Sequence, residues 1–194
     1  MQDRKRVSQR PISKTRVLAL LCLGSGLLIL GIAGFLFLPK VDSSANTPSY
    51  SVIPVKVNFN APEIALADLK GQPTSLAAYR GTVVLVNNWA TWCPPCKEEM
   101  PDLEAFYEAH QSQNFELIGI EAGDATSEVS TFVKQYSLTF PIWLDPESKA
   151  LDAFHNNALP SSYVIDKKGT VRLAWSGGIS REMLEKYVLP LLEE

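Results

Sequence analysis

Cysteine and histidine are scarce in this chain of 194 residues, with three of the first and two of the second. So few cysteines exclude a small scaffold held together by several disulfides. The histidines, His110 and His155, have no ligand-like residue beside them. A structural zinc ion would need two ligands beyond a cysteine pair, and only these histidines and the distant Cys22 could supply them. Charge of either sign is also in short supply. A net charge of -3 with 46% hydrophobic residues describes an ordinary globular protein and gives no basis for nucleic-acid binding. Internal repeats are absent, so one ordinary domain plus extras accounts for the length.

Two of the three cysteines fall together in Trp89-Ala90-Thr91-Trp92-Cys93-Pro94-Pro95-Cys96. The stretch follows an apolar strand, Thr82-Val83-Val84-Leu85-Val86, and a helix is expected to begin directly after Cys93. Cys93 would then sit where unpaired backbone N–H groups meet the positive end of the helix dipole. That setting stabilises a thiolate and lowers a cysteine pKa from its free value of about 8.5. An exposed thiolate with a second thiol one turn away is equipped for thiol–disulfide exchange. A purely structural disulfide over so short a loop would constrain little of the unfolded chain. Pro94 and Pro95 fit the first helical turn, where a missing N–H costs nothing.

The charges that exist are unevenly placed. Arg4, Lys5, Arg6, Arg10, Lys14 and Arg16 face only Asp3 in residues 1–16, and residues 17–38 then run without a charge. That run slightly exceeds the roughly 20 residues a helix needs to cross a bilayer core, and its glycines are common in such helices. The basic residues ahead of it predict a cytoplasmic N-terminus, so everything after residue 40 lies outside the cytoplasm. A cleaved signal peptide competes, with Ala45 after Ser43 and Ser44 permitting cleavage, but its apolar core would be about 7–15 residues. An uncleaved anchor is the expectation. Cys22 follows Leu20 and Leu21 near the start of the run, which argues against lipidation and for an inert apolar-like side chain.

Residues 39–54 lack a hydrophobic period and are rich in Ser and Pro, as expected of a linker; the folded domain is expected over 55–194. Short strands are expected at 55–59 and 63–66, a turn at 70–73, and a short helix to Tyr79 capped by Ser75. The strand at 82–89 is apolar enough to be buried on both faces. The helix after Cys93 reaches about Ser112 with Met100, Leu103, Phe106 and Tyr107 inward and a kink at Pro101. Further strands are expected at 115–120, 141–144, 162–165 and 170–175, the last two a hairpin around residues 166–169. Helices are expected at 127–136 and 149–154 and, at the end, over 180–192 with Pro190 marking or bending the last turn. This order predicts an α/β, thioredoxin-like fold: a central mixed sheet, mostly parallel, sandwiched by helices, with an N-terminal β-hairpin extension.

The chain resembles the membrane-anchored thioredoxin-like thiol–disulfide oxidoreductases of the ResA/TlpA type, often assigned to cytochrome c maturation. The resemblance covers about residues 55–192. It rests on Ala61-Pro62, Asp68-Leu69-Lys70-Gly71, the Trp89–Cys96 stretch, Pro101, Leu159-Pro160 and Val164-Ile165-Asp166. It implies that Cys93 attacks, that Cys96 is the buried resolving thiol, and that Pro160 is a cis proline facing the disulfide. Trp92, Pro94, Pro95, Leu159 and Pro160 would border the substrate, with backbone around Pro160 presented to a substrate strand. Glu99 matches an acid that such proteins place near the cysteines, a candidate proton shuttle. Asp124 matches a second acid and is a further candidate for a proton role. Asn87 stands where many cytoplasmic thioredoxins keep a buried aspartate, which directs the proton role to Glu99.

The resemblance implies reduction of an extracytoplasmic protein disulfide, such as an apocytochrome c Cys-x-x-Cys-His segment. A membrane thiol relay would donate the electrons, with no organic cofactor or metal. An oxidant or isomerase of secreted proteins shares the motif and stays open. A thiol peroxidase would need a Thr-x-x-Cys setting, and Thr91 is too close to Cys93 for it. A copper chaperone would need a histidine brought to the cysteines, for which His155 is the candidate.

Overall fold

Strand β4 (Val83–Trp89) has every residue buried, because side chains alternate between two packed faces. Val83, Leu85 and Trp89 join one apolar cluster; Val84 and Val86 join another on the opposite face. The computed structural model describes residues 51–193. The expected cytoplasmic segment, the span at 17–38, Cys22 and residues 39–50 of the expected linker lie outside the described residues. Among the described residues no helix is long and apolar enough to cross a membrane. Two residues of the expected linker meet the domain: Val52 N donates to Gly178 O at 3.1 Å, and Ser180 N donates to Ser51 Oγ at 2.8 Å.

The remaining elements are β1 (Val55–Asn60), β2 (Ala65–Asp68), β3 (Pro73–Ser75), a 3-10 turn (Leu76–Tyr79), α1 (Pro94–His110), β5 (Phe115–Glu121), α2 (Thr126–Tyr136), β6 (Ile142–Leu144), α3 (Lys149–Ala153), β7 (Ser161–Ile165), β8 (Thr170–Ser176), α4 (Arg181–Tyr187) and α5 (Leu189–Leu192). One sheet runs in the order β1-β8-β7-β4-β5-β6-β2-β3. The α/β architecture with a central mixed sheet forms as expected. Met100, Leu103 and Phe106 of α1, Val129 and Phe132 of α2, and Leu184 of α4 pack on one face. Ala150 of α3, with Phe154, Trp143 and Tyr163, fills the other.

Several expectations are corrected. Among the described strands only β4–β5 and β5–β6 pair in parallel, so the mixed sheet is not mostly parallel. The strands expected as an N-terminal hairpin lie on opposite sides of the sheet, β1 against β8 and β2 against β6. The N-terminal hairpin that forms is β2–β3, around Gly71 with φ +78°, and Pro73–Ser75, expected as part of a turn and a cap, is its second strand. Ser75 makes no side-chain cap hydrogen bond. The last helix is two, broken at Val188 just before Pro190, whose missing N–H cannot continue the first one. Helix α1, by contrast, continues through Pro101.

Candidate active site

The end of β4 carries the site. After Trp89 the chain turns, with Cys93 N donating to Ala90 O at 3.2 Å, and α1 starts at Pro94 with prolines in its first turn. Cys93 is the N-cap residue, and its Sγ accepts the Cys96 N–H at 3.3 Å. The two cysteines form a disulfide with Cα atoms 5.3 Å apart. Cys96 is fully buried, as expected. Cys93 is only 2% exposed in the disulfide form, which differs from the expected exposed sulfur, and the neighbouring Trp92 is 64% exposed.

The Leu159–Pro160 bond is cis, as expected. Pro160 immediately precedes Ser161, which pairs with Asn88 of β4, so the proline lies just ahead of the strand next to the one that leads into the cysteines. The Pro160 carbonyl itself accepts the Gly177 N–H at 2.8 Å.

Glu99 lies on α1 one turn beyond Cys96 and is 2% exposed. Its two oxygens accept from Asn87 Nδ2 at 2.8 Å and from the Ile179 N–H at 3.0 Å. Burial pushes its pKa up to about 8, against those two hydrogen bonds, which favour the charged form; Asp102 adds to the rise. Asn87 also donates to Ser162 Oγ at 3.0 Å, so the polar pair Asn87–Ser162 on adjacent strands braces the acid. The sequence marked Glu99 and Asn87 separately. Their contact, and that with Ile179 from the loop before α4, come from sequence separations of 12 and 80 that no local pattern encodes.

Asp124 is half-buried beyond the end of β5. Its Oδ2 accepts the Thr91 N–H at 2.8 Å, tying it to the cysteine loop. Burial works to raise its pKa, but hydrogen bonds from the Thr91 hydroxyl, from Glu121 and from the Thr91 N–H together hold it below the usual carboxylate value. Glu121, not among the residues expected at the site, is 1% exposed and receives the Asp124 N–H on both carboxyl oxygens, at 3.0 and 3.2 Å. Its only sequence signal is a charge at the end of a mostly apolar strand. His155 stands exposed just after α3, and among the described residues no three His, Cys, Asp or Glu side chains gather as a metal-ion set.

A dithiol-spaced cysteine pair at a helix start, beside a strand that begins after a cis proline, is the geometry against which relatives can be compared. The AhpC/TSA family profile matches residues 57–174. The thiol-disulfide oxidoreductase ResA of Geobacillus kaustophilus is 36% identical over 134 residues, which span 69% of this chain and 77% of that protein. The chain is a ResA-like thiol–disulfide oxidoreductase of the AhpC/TSA family. ResA of Bacillus subtilis is 33% identical over 129 residues, 66% of this chain and 72% of that protein. The crystal structure of a thiol:disulfide interchange protein of the thioredoxin family from Chlorobium tepidum superposes with a TM-score of 0.64 at 27% identity, covering 71% of this chain and 99% of that one. The ResA-like chain therefore shares the thioredoxin-like fold expected from its strand and helix order, and its Cys93–Cys96 pair has the oxidoreductase setting.

Proposed function

We propose that this ResA-like protein is a membrane-tethered reductant of extracytoplasmic protein disulfides. The observation that carries the reading is a buried acid, Glu99, held by Asn87 and Ile179 one turn beyond the Cys93–Cys96 pair. In the reduced protein the Cys93 thiolate, favoured by the helix start, attacks one sulfur of a substrate disulfide. The substrate S–S bond breaks, a Cys93–substrate disulfide forms, and the departing sulfur takes a proton. Cys96 then loses its proton, attacks the Cys93 sulfur and releases the second substrate thiol. Two electrons pass from the cysteine pair to the substrate, leaving the Cys93–Cys96 disulfide. A carboxyl titrating near 8 is suited to both proton steps, as donor when neutral and as acceptor when charged. Asp124, whose pKa is held below the usual carboxylate value, accepts the Thr91 N–H ahead of Cys93. Trp92, Pro94, Pro95 and the Leu159–Pro160 turn border the approach to Cys93.

The uncharged run at 17–38 behind a basic N-terminus supports the tether and an extracytoplasmic domain. A membrane thiol relay would return the electrons, and an apocytochrome c Cys-x-x-Cys-His segment or its carrier is the proposed substrate. The test is the reduction potential of the Cys93–Cys96 couple, equilibrated against glutathione or dithiothreitol buffers. A value near or below about -270 mV supports a dedicated reductant. A value near about -120 mV sinks it and makes the protein an oxidant of secreted thiols.

A further inference from the structure

Glu121 is a buried acid to which the exchange chemistry assigns no task. It closes β5 in register with Trp89, the last residue of β4, and Ala122 N donates to Trp89 O at 2.9 Å. Gly123, with φ +98°, then turns the chain so that the Asp124 N–H reaches back to the Glu121 carboxyl. The Asp124 carboxylate in turn holds the Thr91 N–H, two residues before Cys93. The acids that face Glu121 are Asp124 on its own loop and Asp145, fully buried after β6, whose N–H donates to Glu121 O at 2.9 Å. Asp124 also lines an open groove with Lys97 of α1 and Glu128 of α2. The Asp145 carboxylate is occupied by the Lys149 and Ala150 N–H groups.

A charged carboxylate buried against two acids is costly, whereas a neutral carboxyl has an O–H to give to Asp124. We propose that Glu121 is a positioning residue for the redox loop, sharing one proton with Asp124 and so setting how firmly Asp124 grips the Thr91 N–H ahead of Cys93. While the proton is present, Asp124 is a charged acceptor with one hydrogen bond behind it and another in front. Once it leaves, two carboxylates face each other and the grip on Thr91 loosens. Burial first, then the hydrogen bond to Asp124, push the Glu121 pKa up to about 8, with the charges of Asp124 and Asp145 adding to the rise against the Asp124 N–H.

The test uses the full-length oxidised protein, in which neither cysteine titrates, so the direction of electron flow does not enter. The amide 1H–15N shift of Thr91 is followed from pH 6 to 10. The expected result is a titration of Thr91 near pH 8 that is lost in E121Q, whose amide mimics the neutral carboxyl, and kept in E99Q. In D124N the Glu121 carboxyl, followed by its 13C shift, should titrate at lower pH because a negative neighbour is gone. In the reduced protein, the pH profile of Cys93 alkylation should lose one inflection in E121Q. A Thr91 shift that is flat in the unmodified protein, or titrates alike in E121Q, overturns the proposal. So does an unshifted Glu121 titration in D124N or an alkylation profile that E121Q leaves unchanged.

Discussion

Replacing Glu99 by glutamine should make the stability of the oxidised protein less dependent on pH. The folded pKa of Glu99 is raised from 4.5 to about 8, so the folded state holds a proton that the unfolded chain releases earlier. Stability contributed by the neutral carboxyl is therefore full below about pH 4.5 and is lost as pH rises through about 8. Between pH 6 and pH 9 that loss amounts to about 2–3 kcal/mol at about 1.4 kcal/mol per pKa unit. Glutamine has no such loss. It does lose something at every pH: its Oε1 can keep the Asn87 bond, but its NH2 then meets the Ile179 N–H, which Glu99 accepts at 3.0 Å. An unsatisfied buried N–H costs about 1–3 kcal/mol. E99Q should accordingly be the less stable protein by that full amount only below about pH 4.5; the unmodified protein has lost about 2 kcal/mol by pH 6, so the two should be nearly equal there, with E99Q the more stable by pH 9. Urea unfolding of both oxidised proteins at several pH values measures this directly. A gap that stays constant from pH 6 to 9 would mean that Glu99 does not titrate in this range, and the proton role would fall with it.

Three further outcomes follow from the same geometry. Cys96→Ser should leave Cys93 able to attack but not to be released, so a Cys93–substrate disulfide accumulates on non-reducing gels, whereas Cys93→Ser should trap nothing. A methyl group at Gly119 would lie 2.9 Å from Ile142 Cδ1 and Phe140 Cε2 and 3.0 Å from Trp89 Nε1. Gly119→Ala should therefore cost about 1–3 kcal/mol of stability in urea unfolding, as expected of an overpacked core; an unchanged midpoint would show that this core can yield. Trp92→Ala should change stability by less than about 0.5 kcal/mol, because the ring is 64% exposed. It should nevertheless slow reduction of a protein disulfide more than reduction of a small-molecule one, and equal slowing would remove Trp92 from the docking surface.

The sequence by itself determined the chemistry. A Cys-x-x-Cys between an apolar strand and a helix start needs only local geometry to place Cys93 at the cap, and the structure puts it there. The burial of β4 on both faces and the helical spacing of Met100, Leu103 and Phe106 likewise read correctly, because burial leaves its mark on neighbouring residues. Strand partners did not read correctly. Val55–Asn60 and Ala65–Asp68 are close in sequence yet pair with β8 and β6, since strand pairing is settled by long-range contacts that no local pattern encodes. The site divides in the same way. Glu99 could be picked out by its spacing from Cys96, but what decides its protonation is burial set against hydrogen bonds from Asn87 and Ile179, which the tertiary fold brings from another strand and another loop. Glu121 gave almost no signal, because a charge at a strand end reads as the edge of the protein. Only the packing of Asp124 and Asp145 around it makes that charge a buried proton beside the redox loop.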